Sequence, residues 1–461
     1  MNKIVDSIDN FMIMLQKPVM FLLNKSCLIV KKLTDKQRDR ITLCLSCIFA
    51  GFLFWTISRF NLIDMPKKAI LFTLGMIVIT FVNCDREIKP VKWRLSIMIP
   101  YLIVAILMIV TSFTHDTGRG ELELIGLIMI FILIPFYIVI GNKNSEEIED
   151  FFCIVAKGFC YIGLLYILVT ILFFPQATQY IPEGSSPFVD YLGIHKNPNT
   201  LGCVLLPSVA CSIYLYYKQK TVDKLTTTGI KKSQLSKTNY WEMFISLIVI
   251  AGSFQLMVLS VARASQLSTL MMGIVGCVAL IVVYWKNEIG NKRIYGTVLV
   301  IIGIVFIITL QPIISHLFSY VQTVYATTDE LSLYDKLNVL SSGRMDIYVY
   351  YLKNLSLFGT DVSSIYISPS GRGMYAHNTF LDVAFKSGIL AGVTYLIMII
   401  MTFFYALKTF VCSKGIEGTL GVIVIVGFVI YSMFETAIMP FHHGINAMAY
   451  IAMASFVVKK A

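Results

Sequence analysis

Charged side chains are scarce in this sequence. Of its 461 residues, 14% are Asp, Glu, Lys or Arg and 57% are hydrophobic, whereas a soluble domain carries roughly 25% charged residues. This deficit argues against a water-soluble enzyme. The apolar runs are long and continuous, and they lack the period-2 alternation that is typical of a membrane β-barrel. Only helices and closed barrels satisfy their backbone polar groups in lipid, so the sequence predicts transmembrane helices.

Signatures of metal, nucleotide and secretion sites are missing as well. The ten cysteines include no CxxC pair and no Cys/His cluster with zinc-like spacing, and most lie inside apolar runs, as small core residues do. No P-loop, GxGxxG or metal constellation occurs, so we expect no metal and no cofactor. The stretch from Phe11 to Leu23 is short, is broken at Lys17–Pro18 and precedes no cleavage site. It predicts an interfacial helix rather than a cleavable signal.

The apolar runs predict an all-α, polytopic integral membrane protein with about twelve transmembrane helices. A helical span needs about 20 apolar residues. We predict a basic N-terminal segment at 1–40, nine spans within 41–314, one large external loop at 315–379, and three spans within 380–461. The predicted spans lie at roughly 41–58, 69–83, 95–113, 122–141, 151–174, 199–217, 241–260, 265–285, 294–314, 380–407, 418–434 and 441–458.

The distribution of lysine and arginine predicts the orientation. Of the 38 Lys and Arg residues, 26 fall in connections on the side of the N-terminus and ten on the other side. Four of those ten lie in the long loop, where the positive-inside rule does not apply. Both termini are therefore predicted to be cytoplasmic. The net charge of +11 then indicates anionic lipid headgroups as partners, rather than nucleic acid.

The predicted external loop at 315–379 is too long to be a plain connection. It contains an amphipathic stretch from Ser342 to Leu355, in which Ser342 suits an N-cap and Asp346 suits a first helical turn. The side chains of this stretch that share one apolar face are Ile347, Tyr348, Tyr351, Leu352 and Leu355. We expect a helix that lies on the outer membrane surface.

Two arginines on the external side are candidate anion ligands. Arg263 lies between two apolar spans, where an arginine is costly unless it is paired or hydrated. It is either a snorkelling boundary residue or an anion ligand. Arg344 falls in the first turn of the predicted surface helix, where a cation opposes the helix dipole. A bound phosphate would reverse that sign, because the free amides of the helix start and the guanidinium would converge on one anion. An exposed arginine is the alternative.

Histidines and asparagines complete the candidate site. His377 falls where the long loop re-enters the membrane, and it is either a base that takes a proton from a hydroxyl or a structural histidine. Asn378, or the threonine after it, can cap the tenth span. His195 and Lys196 could add to an anion site just before the sixth span, although the turn chemistry of Asn-Pro-Asn, which ends at Asn199, also accounts for that stretch.

Other charged residues near the external side are interpreted as structural. Asp382 and Lys386 are spaced to pair with each other along a helix. Glu435 and His442–His443 fall in the last external turn and are interpreted as interfacial residues.

The order of these motifs resembles the O-antigen ligase and O-antigen polymerase superfamily of bacterial envelope glycosyltransferases. The shared elements are an arginine on a short external turn, Ser-Gly-Arg in a long external loop, a Tyr-x-His-Asn-x-Phe-Leu re-entry and the Gly-Ile-Leu-x-Gly that follows. The upstream His-x-Asn-Pro-Asn element belongs to the same set, and the resemblance covers roughly residues 190–435.

The resemblance implies a GT-C-like glycosyltransferase that uses a polyprenyl diphosphate donor and needs no metal. It implies that Arg263 and Arg344 hold the diphosphate of an undecaprenyl-linked glycan and that His377 activates the acceptor hydroxyl, with inversion at the sugar carbon. The further substrate-binding positions that it suggests are His195, Lys196, Asn199 and Asn378. The ligase branch often has His-x-x-Asn/Ser-x-x-Leu around the base. The sequence from His377 to Leu381 departs from that spacing, so the branch stays open.

Three functions are therefore weighed. The first is a polymerase that joins lipid-linked repeat units into O-antigen, capsule or exopolysaccharide. The second is a ligase that moves finished glycan to another acceptor, and the third is a lipid-linked oligosaccharide flippase or other transporter. The unusual charges gather at the external face and no internal repeat is detected, which favours a glycosyltransferase. Expected partners are the lipid-linked donor and acceptor, membrane lipids, a chain-length regulator and a flippase, with the active site external in a bacterial cytoplasmic membrane.

Overall fold

The structure, a computed structural model, is almost entirely helical in the part of the chain that it describes. That part consists of residues 2–55, 65–115, 121–175, 191–195, 198–227, 240–260, 262–286, 332–341, 343–368, 371, 373–413, 417–437 and 444–459. The helices are α1 (Asn2–Val30), α2 (Asp35–Trp55), α3 (Met65–Val82), α4 (Leu95–Thr114), α5 (Glu121–Ile128), α6 (Ile134–Gly141), α7 (Ser145–Phe173), α8 (Pro198–Thr227), α9 (Tyr240–Leu259), α10 (Arg263–Lys286), α11 (Leu333–Leu340), α12 (Arg344–Lys353), α13 (Thr379–Ser387), α14 (Ile389–Cys412), α15 (Thr419–Ser432) and α16 (Gly444–Val457). A π-helical turn, Met129–Leu133, joins α5 to α6.

Eight helices of the described part are long and apolar enough to cross a membrane. Six of them coincide with predicted spans, a seventh, Ile389–Cys412, overlaps the predicted span at 380–407, and the eighth is Ser7–Val30 within α1. The helices α15 and α16 are apolar but have 14 residues each, and α2 and α3 overlap the first two predicted spans. The predicted span at 294–314 lies outside the described residues. The chain is therefore an all-α multi-pass membrane protein, and the total of twelve spans stays a prediction.

Backbone contacts near the C-terminus define one end of the helix bundle. The amide of Lys459 donates to the carbonyl of Lys92 at 2.7 Å, and the amide of Arg94 donates to the carbonyl of Val457 at 2.8 Å. We call this the basal end; the charge distribution predicts that it is cytoplasmic. The opposite, apical end holds the last turn of α4, where the Thr111 hydroxyl lies 3.5 Å from the carbonyl of Phe358.

The first helix, α1, runs along the basal end. The Gln16 side chain hydrogen-bonds both the amide and the carbonyl of Val91 at 2.9 Å, and the Asn24 side chain accepts from the amide of Ile88 at 2.7 Å. Lys17–Pro18 interrupts the apolar stretch of the sequence, but the helix α1 continues through Pro18, because its buried face packs against the bundle on both sides of the proline. This course suits an interfacial helix, although Ser7–Val30 also has the length and composition of a span.

The predicted span at 380–407 is two helices, α13 and α14, separated at Gly388. Gly388 has φ +95°, and a Cβ at this position would lie 2.2 Å from the carbonyl oxygen of Leu357. Only glycine combines that backbone conformation with so close an approach. The break therefore allows the chain that follows α12 to pack against the start of α14. Within α13 the predicted pair forms, with Lys386 Nζ 2.9 Å from Asp382 Oδ2.

The amphipathic helix of the predicted external loop is present as α12, and protein covers its apolar face. Ile347 and Tyr351 are buried together with Ala376 and Phe385, and the rings of Tyr351 and Phe385 lie 4.5 Å apart in an edge-to-face arrangement. Leu352, predicted to share this face, is 59% exposed. An antiparallel pair of short strands packs beside this small core, formed by β1 (Tyr366–Ile367) and β2 (Gly373–Met374). The sequence did not predict these strands.

Candidate functional site

The candidate site forms around the carboxylate of Glu435, three residues after α15 ends. Arg344 Nη2 lies 3.0 Å from Glu435 Oε1, and His377 Nδ1 lies 3.2 Å from Glu435 Oε2. The Asn199 side-chain amide donates to Oε1 at 3.4 Å. The Glu435 side chain is 14% exposed, so a nearly buried carboxylate gathers side chains from three distant stretches of the chain at the apical end.

The start of α12 presents Arg344 to this carboxylate. Ser342, the predicted N-cap, lies outside the described residues; the N-cap is Gly343, with φ +81° and no side chain to bond the first turn. The first-turn amides bond upstream side chains instead, Met345 N to Ser341 Oγ at 3.3 Å and Asp346 N to Asn338 Oδ1 at 3.2 Å. The expectation that free amides of this turn help to bind an anion is therefore wrong, because these two amides already have partners.

The Arg344 guanidinium is held at two points. Nη1 donates to the carbonyl of Phe434 at 2.5 Å, while Nη2 donates to the Glu435 carboxylate. A cation in a first helical turn opposes the helix dipole, and the neighbouring carboxylate compensates for that cost. The fork geometry of the guanidinium, with one N–H group on a carbonyl and another on a carboxylate, is suited to binding oxygen anions.

His377 is held in an unusual backbone conformation. Its φ of +47° is the one positive value that the structure describes at a residue other than glycine, and such strain concentrates at functional sites. The Tyr348 hydroxyl donates to the carbonyl of His377 at 3.3 Å. Because the Glu435 carboxylate only accepts, Nδ1 must carry the proton in this contact. The lone pair of a neutral ring then resides on Nε2, the atom available to take a proton.

The two residues after His377 fix the site to the helices. Asn378 is the N-cap of α13: its Oδ1 accepts from the amide of Leu381 at 3.0 Å, and its Nδ2 donates to the carbonyl of Met433 at 3.2 Å. The Thr379 hydroxyl donates to the carbonyl of Glu435 at 2.9 Å and accepts from the amide of Ala437 at 2.8 Å. The predicted capping by Asn378 is thus confirmed. Both the oxygen and the nitrogen of its side-chain amide hydrogen-bond backbone groups.

Arg263 begins α10 at the apical end, with an exposed side chain. A Cβ added at Gly202 of α8 would lie 2.6 Å from Ser265 Oγ and 2.7 Å from the Ala262 Cβ. The backbone of α8 therefore packs closely against the residues on either side of Arg263. Gly202 comes three residues after Asn199, less than one helical turn along α8. Arg263 therefore lies close to the level at which Asn199 contacts Glu435.

The other two predicted anion ligands are placed differently. His195 is fully buried; its Nε2 hydrogen-bonds the hydroxyl of Tyr166 on α7, and the two rings stack with centroids 5.8 Å apart. These contacts fit a structural histidine that ties the turn before α8 to α7, and its role at an anion site stays a prediction. Lys196 lies outside the described residues.

The surroundings of Glu435 keep it ionised. Burial alone would raise the pKa of Glu435, but the hydrogen bond from His377 and the positive charge of Arg344 hold it below its usual value of 4.5. Titratable groups face this carboxylate from four parts of the chain. They are Arg344 and Tyr348 on α12, His377 before α13, Tyr431 on α15 and Cys203 on α8. An ionised, nearly buried carboxylate can therefore order both the guanidinium and the imidazole.

Acidification is expected to loosen this cluster. Because the pKa of Glu435 is lowered in the folded protein, its contribution to stability is complete above pH 4.5 and is lost as the pH falls through the lowered value. The thermal unfolding midpoint of the detergent-purified protein should therefore fall more steeply below pH 4.5 in the wild type than in Glu435→Gln. Equal slopes for the two proteins would contradict this assignment.

Sequence reasoning missed the central residue. The place of Glu435 in the predicted last external turn indicates only an interfacial residue. The available signal was its position: a single carboxylate on the same predicted side as Arg344 and His377, where two cationic side chains need a counter-charge. Among the residues that the structure describes, no three His, Cys, Asp or Glu side chains form a group that could hold a metal ion.

No protein-family model matches the chain, and no curated protein matches it.

Proposed function

We propose that this chain is a membrane glycosyltransferase that polymerises an envelope polysaccharide. The observation that supports this most is the sharing of one carboxylate by a guanidinium and an imidazole, since Glu435 contacts both Arg344 and His377. An anion-binding arginine beside a histidine with an available Nε2 suits a reaction in which a hydroxyl is deprotonated and a diphosphate departs. The proposed substrates are lipid-linked repeat units of O-antigen, capsule or exopolysaccharide.

The proposed reaction is an inverting transfer. His377 Nε2 takes the proton from an acceptor hydroxyl, and the acceptor oxygen forms a bond to the anomeric carbon of the donor glycan. The bond from that carbon to the diphosphate oxygen breaks on the opposite side, and undecaprenyl diphosphate leaves with the electron pair. Arg344 and Arg263 stabilise the charge that develops on the leaving diphosphate. These side chains supply the charge without a metal.

The place of the site suits an amphipathic substrate. Glu435 follows the apolar helix α15, and His377 precedes α13 and the long apolar helix α14, so these residues and Arg344 meet at the apical end of the bundle. A polyprenyl tail needs the bilayer, while the sugars and the diphosphate need water, so a site at a bilayer surface serves both. We propose that the apical end faces outward in a bacterial cytoplasmic membrane, with a flippase supplying the lipid-linked units and a chain-length regulator as a further partner.

The test is reconstitution of the purified protein in liposomes with its undecaprenyl-diphosphate-linked repeat unit. Lipid-linked products of two or more units, formed together with free undecaprenyl diphosphate, are expected. Transfer of preformed polymer to an acceptor that is not lipid-linked would identify a ligase instead. Movement of the unit across the bilayer with no change in glycan length would identify a flippase, and no change of any kind would contradict all three functions.

A further inference from the structure

The Glu435 carboxylate binds Arg344, which the proposed function assigns to the donor diphosphate. Arg344 Nη2, at 3.0 Å, and Asn199 Nδ2, at 3.4 Å, both point at Glu435 Oε1. A diphosphate oxygen that approaches Arg344 Nη2 would meet the charge of this carboxylate, while Nη1 is engaged by the carbonyl of Phe434. A nearly buried carboxylate and an incoming diphosphate therefore compete for one guanidinium.

We propose that Glu435 is a positioning residue that neutralises Arg344 until the donor diphosphate replaces it, after which its carboxylate serves His377. This inference rests on the proposed function and concerns the order of events at the same site. Its basis is the division of one carboxylate between two partners, with Oε1 on Arg344 and Oε2 on His377.

The contacts around Glu435 allow such an exchange without movement of the backbone. The Thr379 hydroxyl bonds the carbonyl of Glu435 and the amide of Ala437, at 2.9 and 2.8 Å. Arg344 Nη1 stays on the carbonyl of Phe434. The guanidinium thus keeps its position while Nη2 changes partner, and Glu435 moves by side-chain rotation alone.

The exchange couples donor binding to the chemistry at His377. A diphosphate on Arg344 repels the nearby carboxylate, because like charges placed together are costly. The carboxylate keeps its contact with His377 Nδ1, where it holds the tautomer with a free Nε2 and stabilises the imidazolium that forms when Nε2 accepts a proton. Before the donor arrives, part of that negative charge is neutralised by Arg344. The Glu435 carboxylate therefore stabilises the His377 imidazolium fully only in the donor complex.

The decisive variant is Glu435→Gln, which keeps the size of the side chain and removes its charge. Inorganic diphosphate is the binding probe, titrated calorimetrically into the full-length protein in detergent. We expect Glu435→Gln to bind diphosphate about tenfold more tightly than the wild type, because the competing carboxylate is gone. The KM for the lipid-linked donor should fall as well, whereas kcat should fall by about 10²-fold or more, because the imidazolium loses its carboxylate.

A fall in KM together with a fall in kcat distinguishes this role from a structural one, since a loosened site would raise KM. The matched control is Asp346→Asn, which also removes one negative charge from the start of α12 but at a carboxylate bonded to Tyr334 and Asn338; it should leave both constants unchanged. Glu435→Ser gives a second test, because it too releases Arg344, and it should also tighten diphosphate binding.

Two failures can be told apart. In the first, the wild type binds diphosphate and Arg344→Gln does not, but both Glu435 variants bind it no more tightly than the wild type. This result overturns the inference and leaves the proposed function standing. Equal diphosphate binding by the wild type and Arg344→Gln removes Arg344 from the anion site, and the proposed function fails with it.

Discussion

The variant His377→Asn is expected to lose about 10²–10⁴-fold in turnover, the usual contribution of a general base, while remaining folded in the membrane. Asparagine is chosen because residue 377 has φ +47°, a conformation that asparagine adopts more readily than alanine. Its amide can also still bond Glu435, but it cannot take a proton from a hydroxyl. Turnover is measured with the reconstituted protein, and glycan products are analysed in cells that carry the variant at wild-type membrane levels.

The matched control is His115→Asn, a histidine at the end of α4 whose ring lies against Thr114, outside the Glu435 cluster. It should retain wild-type turnover. In cells with His377→Asn, lipid-linked single repeat units should accumulate while long polymer disappears. Full-length polymer that stays on its lipid carrier would instead identify a ligase. Normal polymer, normally delivered, would make His377 a structural residue and overturn the assignment of the active site.

Most of the helical framework could be predicted from the sequence, because a membrane span is encoded locally by a run of apolar residues. Six predicted spans coincide with helices that can cross a membrane, and a seventh overlaps such a helix. The break at Gly388 could not be predicted in this way, since it depends on the approach of Leu357 from 31 positions earlier in the chain. The same holds for Pro18, which is accommodated in α1 because contacts on both sides of it hold the helix.

The candidate site was predictable only in part. A costly arginine at a helix start and a histidine at a membrane re-entry are local features, so Arg344 and His377 stood out in the sequence. What joins them is Glu435, at a sequence distance of 91 residues from Arg344 and 58 from His377. No local pattern marks a carboxylate as the shared partner of two distant side chains. The fully buried His195, by contrast, has the local appearance of a site residue but packs against Tyr166.

Arg344→Ala is expected to lower turnover by about 10²–10³-fold, as the loss of a charge-stabilising donor typically does. It should also lower the thermal unfolding midpoint, because Glu435 would then be a nearly buried carboxylate without its guanidinium partner. Arg344→Lys keeps the charge but cannot reach the carbonyl of Phe434 and an anion with separate N–H groups of a planar fork. It should therefore retain stability better than activity.

The double variant Arg344→Ala/Glu435→Ala separates the two roles of the arginine. Removing both partners leaves no unpaired charge, so the unfolding midpoint should recover relative to Arg344→Ala alone. Turnover should not recover, since neither variant side chain can bind the diphosphate. If turnover returned together with stability, Arg344 would be only a structural partner of Glu435, and the proposed diphosphate site would be contradicted. Unfolding midpoints and transfer rates of the four proteins of this cycle, measured in the same liposomes, decide between these outcomes.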